Sequence, residues 1–411
     1  MKFNMVYIQS GGPTSVINSS LYGAVKEGFE HKDEIEKVLG SLNGIEGLID
    51  DNLIDITQED PEQIELLKQT AGAILGTSRR KLPRNIHDPI YQKIIDNIEK
   101  HNIKYVFING GNDSMDTCHK LYQLSEEMGL DLRVIGVPKT IDNDLACTDH
   151  ALGFPSAAKF VINAVQSFAV DARCYRSGKV YVVEIMGRNA GWLTAAVDLL
   201  PEGSRPDLIY LPENPFILED FLKKIGDIYE KKGFAMAAVS EGIQFKSNGQ
   251  NVRLDSFGHA QLGGVADELC HIIEDELNLP TRSIEFSLTQ RAFPLLTSKV
   301  DQEEAIHIGR LAVKSALNGE SGKMIVTKRL SNDPYLVDFL LEDLSLIANH
   351  ESTIPSDMMF DETRMSDSFR NYLKPLIQGE IEVKFDNGIE KNSIFKRKEF
   401  QDHWTITVHV Y

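Results

Sequence analysis

The stretch KYVFINGGNDS (104–114) decides the fold. Its apolar run does not alternate with polar residues, so it reads as a strand buried on both faces. A glycine pair ends the run, and a helical pattern follows over about residues 115–128. Strand, tight turn and helix make up a βα unit of a parallel sheet. The same grammar recurs along the chain. FNMVYIQS (3–10) runs into GGPTS and a helical segment over about 16–29. LRVIGV (132–137) runs into PKTIDND (138–144), and KVYVVEIMG (179–187) into RNAGW and a helix through Leu200. FAMAAVSEG (234–242) follows a helix over 219–232. The expected class is α/β, with parallel sheet covered by helices on both faces.

Ligands of such sheets bind at the carboxyl ends of the strands. The polar clusters lie just there: GGPTS, GGNDS, PKTIDND, MGRNAG and SEG. Their repetition points to one active-site rim. Later segments say less. Asp301 with Glu304 reads as a capping box opening a helix that closes near Gly319. KFDNGIEK (384–391) carries a hairpin turn at Asn387-Gly388, and WTITVHV (404–410) alternates like a strand.

A length of 411 residues predicts two or three domains. The net charge of −18 argues against nucleic acid, whose phosphates need cations. A few local cations can still hold a small anion. No apolar run is long enough to cross a bilayer and no signal segment is evident, so the expected location is cytoplasmic. Cys118, Cys147, Cys174 and Cys270 form no CxxC pair, and read as reduced and mostly buried.

Each motif has a plain reading and a chemical one. Gly11 and Gly12 could serve a tight turn, or bring backbone N–H groups to an anion. Asp113 and Ser114 could be helix caps. An acid beside a phosphate cradle otherwise needs a cation nearby. PKTIDND offers one in Lys139. Asp142 and Asp144 point the same way in an extended segment. Such a pair calls for a cation, leaving one carboxylate free as a base. Arg188 suits phosphate, or a surface ion pair. Glu241 could accept from sugar hydroxyls, and His259 and Arg291 could donate to an anion. Trp192 reads as a packing residue.

Taken in order and spacing, GG, GGNDS, PKTIDND, MGR, SEG and GHAQLGG resemble the phosphofructokinases over about residues 3–320. More narrowly, they are similar to the branch that uses pyrophosphate. The resemblance rests on Asp113 and Lys139, where ATP-using relatives have glycine. A carboxylate at 113 would occupy the space of a nucleotide α-phosphate. The resemblance implies reversible phosphoryl transfer from pyrophosphate to the 1-hydroxyl of fructose 6-phosphate, a glycolytic step.

It also implies roles. Asp142 is the general base, with Lys139, Asp113 and Arg188 completing the catalytic set. Gly11, Gly12, Arg79, Lys81 and Ser114 contact the donor. Thr140, Ile141, Asp142, Met186, Gly187, Arg188 and Glu241 line the sugar site, with Lys179, Arg253, His259, Leu288 and Arg291 near the sugar's phosphate. Asp144 and Asn112 hold Mg²⁺. Part of the sugar-phosphate site comes from a neighbouring subunit, implying a homodimer or larger homo-oligomer.

The implied architecture is two doubly wound, Rossmann-like domains with mostly parallel central sheets facing a cleft, plus a C-terminal extension. The larger holds 1–154 with about 259–320, and the smaller 155–258 with about 321–411. Three departures stand out. Asn112 replaces the usual metal-ligating aspartate, Leu288 an expected tyrosine, and Lys179 an arginine. Three alternatives stay open: ATP as donor, sedoheptulose 7-phosphate as acceptor, or a non-catalytic sugar-phosphate sensor.

Overall fold

A computed structural model of the chain describes residues 2–245 and 264–396, with the backbone of 253–254 and 260–261. The larger sheet has seven strands, in the order Tyr335–Asp343, Lys323–Asn332, Arg133–Pro138, Ile103–Gly110, Phe3–Gln9, Ile35–Ser41 and Leu53–Asp55. The five central strands are parallel, and each edge strand runs antiparallel to its neighbour. The smaller sheet is wholly parallel, in the order Thr281–Glu285, Val180–Ile185, Ala235–Ser240 and Leu208–Tyr210. This is the expected α/β class with two mostly parallel sheets.

The strands lack polar alternation because both faces are covered. Met5 and Tyr7 enter one core, while Val6 and Ile8 enter the core on the opposite face. In the smaller sheet Val180 and Val182 face one core, Tyr181 and Val183 the other. Phe3–Gln9 pairs with Ile35–Ser41 on one side and Ile103–Gly110 on the other. Winding therefore reverses at this strand, and the loops leaving its two neighbours' ends diverge. That reversal is where open α/β sheets form a ligand crevice.

Sheet membership departs from the expected division of the chain. Thr281–Glu285 pairs with Val180–Ile185 in the smaller sheet, and the Lys323–Asp343 hairpin joins the larger one. The expectation had put these two segments the other way round. Strand pairing, which is non-local, overrides the order of segments along the chain. The helix beginning Lys299 is also not opened by a capping box. Asp301 is buried, and accepts from Gly153 N (3.0 Å) and Ser156 N (3.1 Å). It thus caps the Phe154–Ala172 helix from another element. Glu304 accepts instead from buried His150 (2.6 Å) and from Tyr335 Oη (2.7 Å). Two cysteines, Cys147 and Cys174, are exposed rather than buried.

The Asn387-Gly388 turn forms as expected, with positive φ at both residues joining Phe385–Asp386 to Ile389–Glu390. The segment after the larger sheet packs back on the core. Trp192 lies against Phe369 and Tyr372, with ring centroids 6.2 and 5.4 Å away, so it packs as expected. Among the described residues, no helix is long and apolar enough to cross a membrane. The expected strand at 404–410 lies outside the described residues.

Candidate active site

The strand ends of both sheets open into one cavity of about 700 Å³. The larger sheet contributes Gly11 and Gly12 after its Phe3–Gln9 strand. Asn112, Asp113 and Ser114 open the Asn112–Met128 helix, three residues earlier than the pattern suggested. Lys139, Thr140, Ile141, Asp142 and Asp144 follow Arg133–Pro138. The smaller sheet contributes Met186 and Arg188 after Val180–Ile185, and Glu241 after Ala235–Ser240. Arg79 and Lys81 reach in from a loop, and Arg291 from the turn beyond Thr281–Glu285.

Local geometry explains the glycines. Gly11 has φ +77°, and a Cβ there would stand 3.2 Å from Lys139 Nζ. At Gly110 a Cβ would fall 2.2 Å from Ser114 Oγ, so only glycine lets the helix start directly on the strand end. That helix has no side-chain cap at Gly111, and its amino end forms part of the cavity wall. Such an end favours anions.

Lys139 is only 3% exposed and donates from Nζ to Gly12 O at 2.7 Å. Burial pushes its ammonium down to about 8, although the charge of Asp142 works against the fall. Burial raises Asp142 above the usual carboxylate range, against the pull of Arg291, Lys139 and Arg188. Asp144 is raised too, by burial and by the charges of Asp142 and Glu351. Asn143 between them adopts φ 55°, which asparagine tolerates. Its Nδ2 donates to Tyr372 Oη (3.0 Å), and its Oδ1 accepts from Ala151 N (2.8 Å). Thr140 Oγ1 accepts from Asp142 N (3.1 Å) and closes the turn. This loop is therefore held from several elements, not left as a solvated coil.

On the opposite wall, burial and the charge of Asp142 push Glu241 up to about 7. Gly187 N donates to its Oε1 at 3.4 Å. Arg188 Nε is buried and has no hydrogen-bond partner among the described residues. A buried donor left over in this way is suited to meet an acceptor in the cavity. Lys81 and Asp113 form an ion pair at 3.0 Å. The cavity wall holds five cations, Arg79, Lys81, Lys139, Arg188 and Arg291, against five carboxylates. A chain of net charge −18 thus keeps this one region balanced, and able to take in an anion.

Not every expected residue lies here. Gly187 does not line the cavity, and its N–H meets Glu241 Oε1. Lys179 precedes Val180–Ile185 and so sits at the amino end of that strand, about 20 Å from the cavity end. Leu288 is 65% exposed and does not line the cavity. The side chain of Arg253 and all of His259 lie outside the described residues.

Asn112 lines the cavity, and its amide also holds the backbone of residues 349–350. Oδ1 accepts from Asn349 N (2.5 Å), and Nδ2 donates to His350 O (2.7 Å). Besides Pro13, Thr14 and Gly111 of the two glycine motifs, four lining residues were not singled out in the sequence: Asn189, Ala190, Asn349 and Glu351. The first two stand inside RNAGW and were within reach of that motif. Asn349 and Glu351 carry no local signal.

The phosphofructokinase family pattern matches residues 4–316 of the chain. A protein of Halomonas elongata named pyrophosphate–fructose 6-phosphate 1-phosphotransferase is 39% identical, over 94% of this chain and 95% of its own length. A sulfofructose kinase of Alkalicoccus urumqiensis is 34% identical over 90% of this chain and 94% of its own. The crystal structure of a pyrophosphate-dependent phosphofructokinase from Marinobacter aquaeolei superposes with a TM-score of 0.87 at 34% identity, covering 96% of each chain. Sequence pattern, length and fold agree, and the chain belongs to the phosphofructokinase family.

Proposed function

We propose that the protein transfers a phosphoryl group reversibly between pyrophosphate and the 1-hydroxyl of fructose 6-phosphate. The observation that carries this reading is the buried Lys139 ammonium beside Asp142, in one cavity with the Asp113–Lys81 pair. The likeness to relatives named for this reaction supports it.

Asp142 is the base. Its raised pKa brings its proton affinity toward neutrality, where general bases work best. It takes the proton of the 1-hydroxyl as that oxygen bonds to the near phosphorus of pyrophosphate. The bond from that phosphorus to the bridging oxygen breaks, and phosphate leaves with the electron pair. Lys139 and Arg188 offer fixed positive donors to the charge that spreads over the transferring group. Gly11, Gly12, Ser114 and the helix amino end hold the donor, with Arg79 and Lys81. Asp113 fills the space that a nucleotide would need beyond its second phosphate. Thr140, Ile141, Met186 and Glu241 orient the sugar, and Arg291 meets its anionic end.

A divalent cation, taken to be Mg²⁺, fits this wall. Asp144 Oδ1 is buried without a hydrogen-bond partner among the described residues. No three acid, histidine or cysteine side chains among the described residues cluster as a metal cage. That suits Mg²⁺, which binds through one or two carboxylates plus phosphate oxygens and water. Bound there, it would neutralise donor phosphate charge. Asp144 would hold it. Lys179 cannot reach its own chain's cavity, and we assign it to the site of a neighbouring copy in a homo-oligomer.

The test is direct. Purified protein with fructose 6-phosphate and Mg²⁺ is offered pyrophosphate or ATP, and fructose 1,6-bisphosphate is measured. Turnover with pyrophosphate is expected; turnover with ATP alone would sink the donor assignment. The Alkalicoccus relative, named for sulfofructose, makes the acceptor a second point to check. Sulfofructose outpacing fructose 6-phosphate would replace the acceptor and leave the donor chemistry in place.

A further inference from the structure

We propose that Glu351, from the segment that follows the larger sheet, is the second protein carboxylate on the divalent cation, in the role that Asn112 does not fill. The inference rests on the phosphotransferase reading above.

Glu351 lines the same cavity as Asp144. Its segment is stitched to the loop that carries Asp144. Glu351 forms a bridge with Leu145, and Ser352 N donates to Asp144 O at 2.8 Å. Asn189 Nδ2 then donates to both carboxylate oxygens, at 3.2 and 2.9 Å, and aims the group. These contacts leave the remaining lone pairs of Glu351 open to the cavity.

Asn112 explains how the segment arrives there. Its amide accepts from Asn349 N and donates to His350 O, so it grips the backbone just before Glu351. Asn349 Nδ2 also donates to Asp116 Oδ1 (3.0 Å), one helical turn further along. An aspartate at 112 could accept from Asn349 N but could not donate to His350 O. The amide therefore does two things a carboxylate could not do together. The cost is the loss of a hard anionic ligand at 112, since carboxylates suit such cations better than amides. Glu351 restores that charge from the segment that Asn112 positions.

The pairing of acids is otherwise unfavourable. Asp144 and Glu351 repel each other, and Asp144 Oδ1 has no donor among the described residues. Like charges held close need a cation between them or nearby. Two protein carboxylates plus donor phosphate match the ligand count of a phosphate-bound Mg²⁺.

Mn²⁺ serves as the probe. Its binding is followed by electron paramagnetic resonance, with and without methylene diphosphonate as an unreactive donor analogue. Wild type is compared with Glu351→Gln and Glu351→Asp. Glu351 is exposed at the cavity rim, so neither change should disturb folding, and melting temperature checks this. Glu351→Gln should weaken Mn²⁺ binding by about tenfold or more. Glu351→Asp should recover part of that loss. In turnover with pyrophosphate, Glu351→Gln should need more Mg²⁺ for half-maximal rate. Mn²⁺ affinity within twofold of wild type in Glu351→Gln would overturn the assignment. Wild-type turnover with pyrophosphate is measured alongside, and its absence would count against the phosphotransferase reading, separately from the Mn²⁺ comparison.

Discussion

Replacing Lys139 by methionine tests the donor side of the site most sharply. The side chain is only 3% exposed, so methionine of similar length fills its space. The lost charge-assisted hydrogen bond to Gly12 O is worth about 1.5–3 kcal/mol, and removing a buried charge offsets part of it. The variant should therefore fold. Its kinetics should suffer far more. Removing one fixed donor from a developing negative charge costs about 3–4 kcal/mol, or about 10²–10³-fold in kcat.

Titration of the same group gives a second readout. Burial holds the ammonium down to about 8 in the free protein. The protonated form binds and stabilises phosphate, so kcat/KM for pyrophosphate should fall as pH rises through about 8. A bound donor changes that. One negative charge at about 4 Å favours the ammonium by about 4 kcal/mol at a surface-like dielectric, about three pH units. The alkaline limb should thus move upward in kcat. Arginine at 139 does not titrate in this range, so Lys139→Arg should lose the limb. A limb near 8 that survives Lys139→Arg, or a Lys139→Met variant within threefold of wild type, would refute the reasoning.

Three further outcomes are expected. Asp142→Asn should cut turnover by about 10²–10⁴-fold while sugar binding, read by calorimetry, survives; near-normal turnover would remove Asp142 as the base. Asp113→Gly should admit ATP as donor at little cost to stability, because its partly exposed pair with Lys81 is worth about 1 kcal/mol or less; unchanged exclusion of ATP would place the barrier elsewhere. His150 is buried against Asp149 and Glu304, whose charges outweigh the burial that would lower its pKa and raise it to about 10. Its folded value lies above the unfolded 6.5, so its stabilisation is full below about 6.5 and is lost as pH rises toward 10. Glu304→Ala should cost about 3–5 kcal/mol in urea melts near pH 6 and less at pH 10; equal costs at both would contradict the linkage.

Much of the site was legible because it lies on strand ends. Continuous apolar runs such as YVFI announce strands buried on both faces, and GG, KTIDND and MGR stand where those strands stop. Most helices and strands needed only local patterning to be seen, though the helix at Asn112 starts three residues before the pattern suggested. What was not legible depends on pairing across the chain. Nothing local says that Thr281–Glu285 joins the smaller sheet or that the 323–343 hairpin closes the larger one. Asp301 looked like the cap of its own helix because spacing cannot show that its carboxylate faces Gly153 and Ser156. Lys179 sits at the wrong end of its strand for its own cavity, which a motif match does not reveal. Glu351 reaches the site because Leu145, Asn189 and Asn112, among others, hold its segment there. Asn112 was read as a weakened metal ligand. Its hydrogen bonds also make it a clamp on the 349–350 backbone.

The central claim is that pyrophosphate itself is the phosphoryl carrier, in both directions. Fructose 1,6-bisphosphate and orthophosphate, with Mg²⁺ and no nucleotide present, can be followed by phosphorus-31 magnetic resonance. The account predicts that a pyrophosphate signal grows as fructose 6-phosphate appears, and that Asp142→Asn slows both by the same factor. No pyrophosphate from this mixture, with ATP formed only when ADP is supplied, would contradict it.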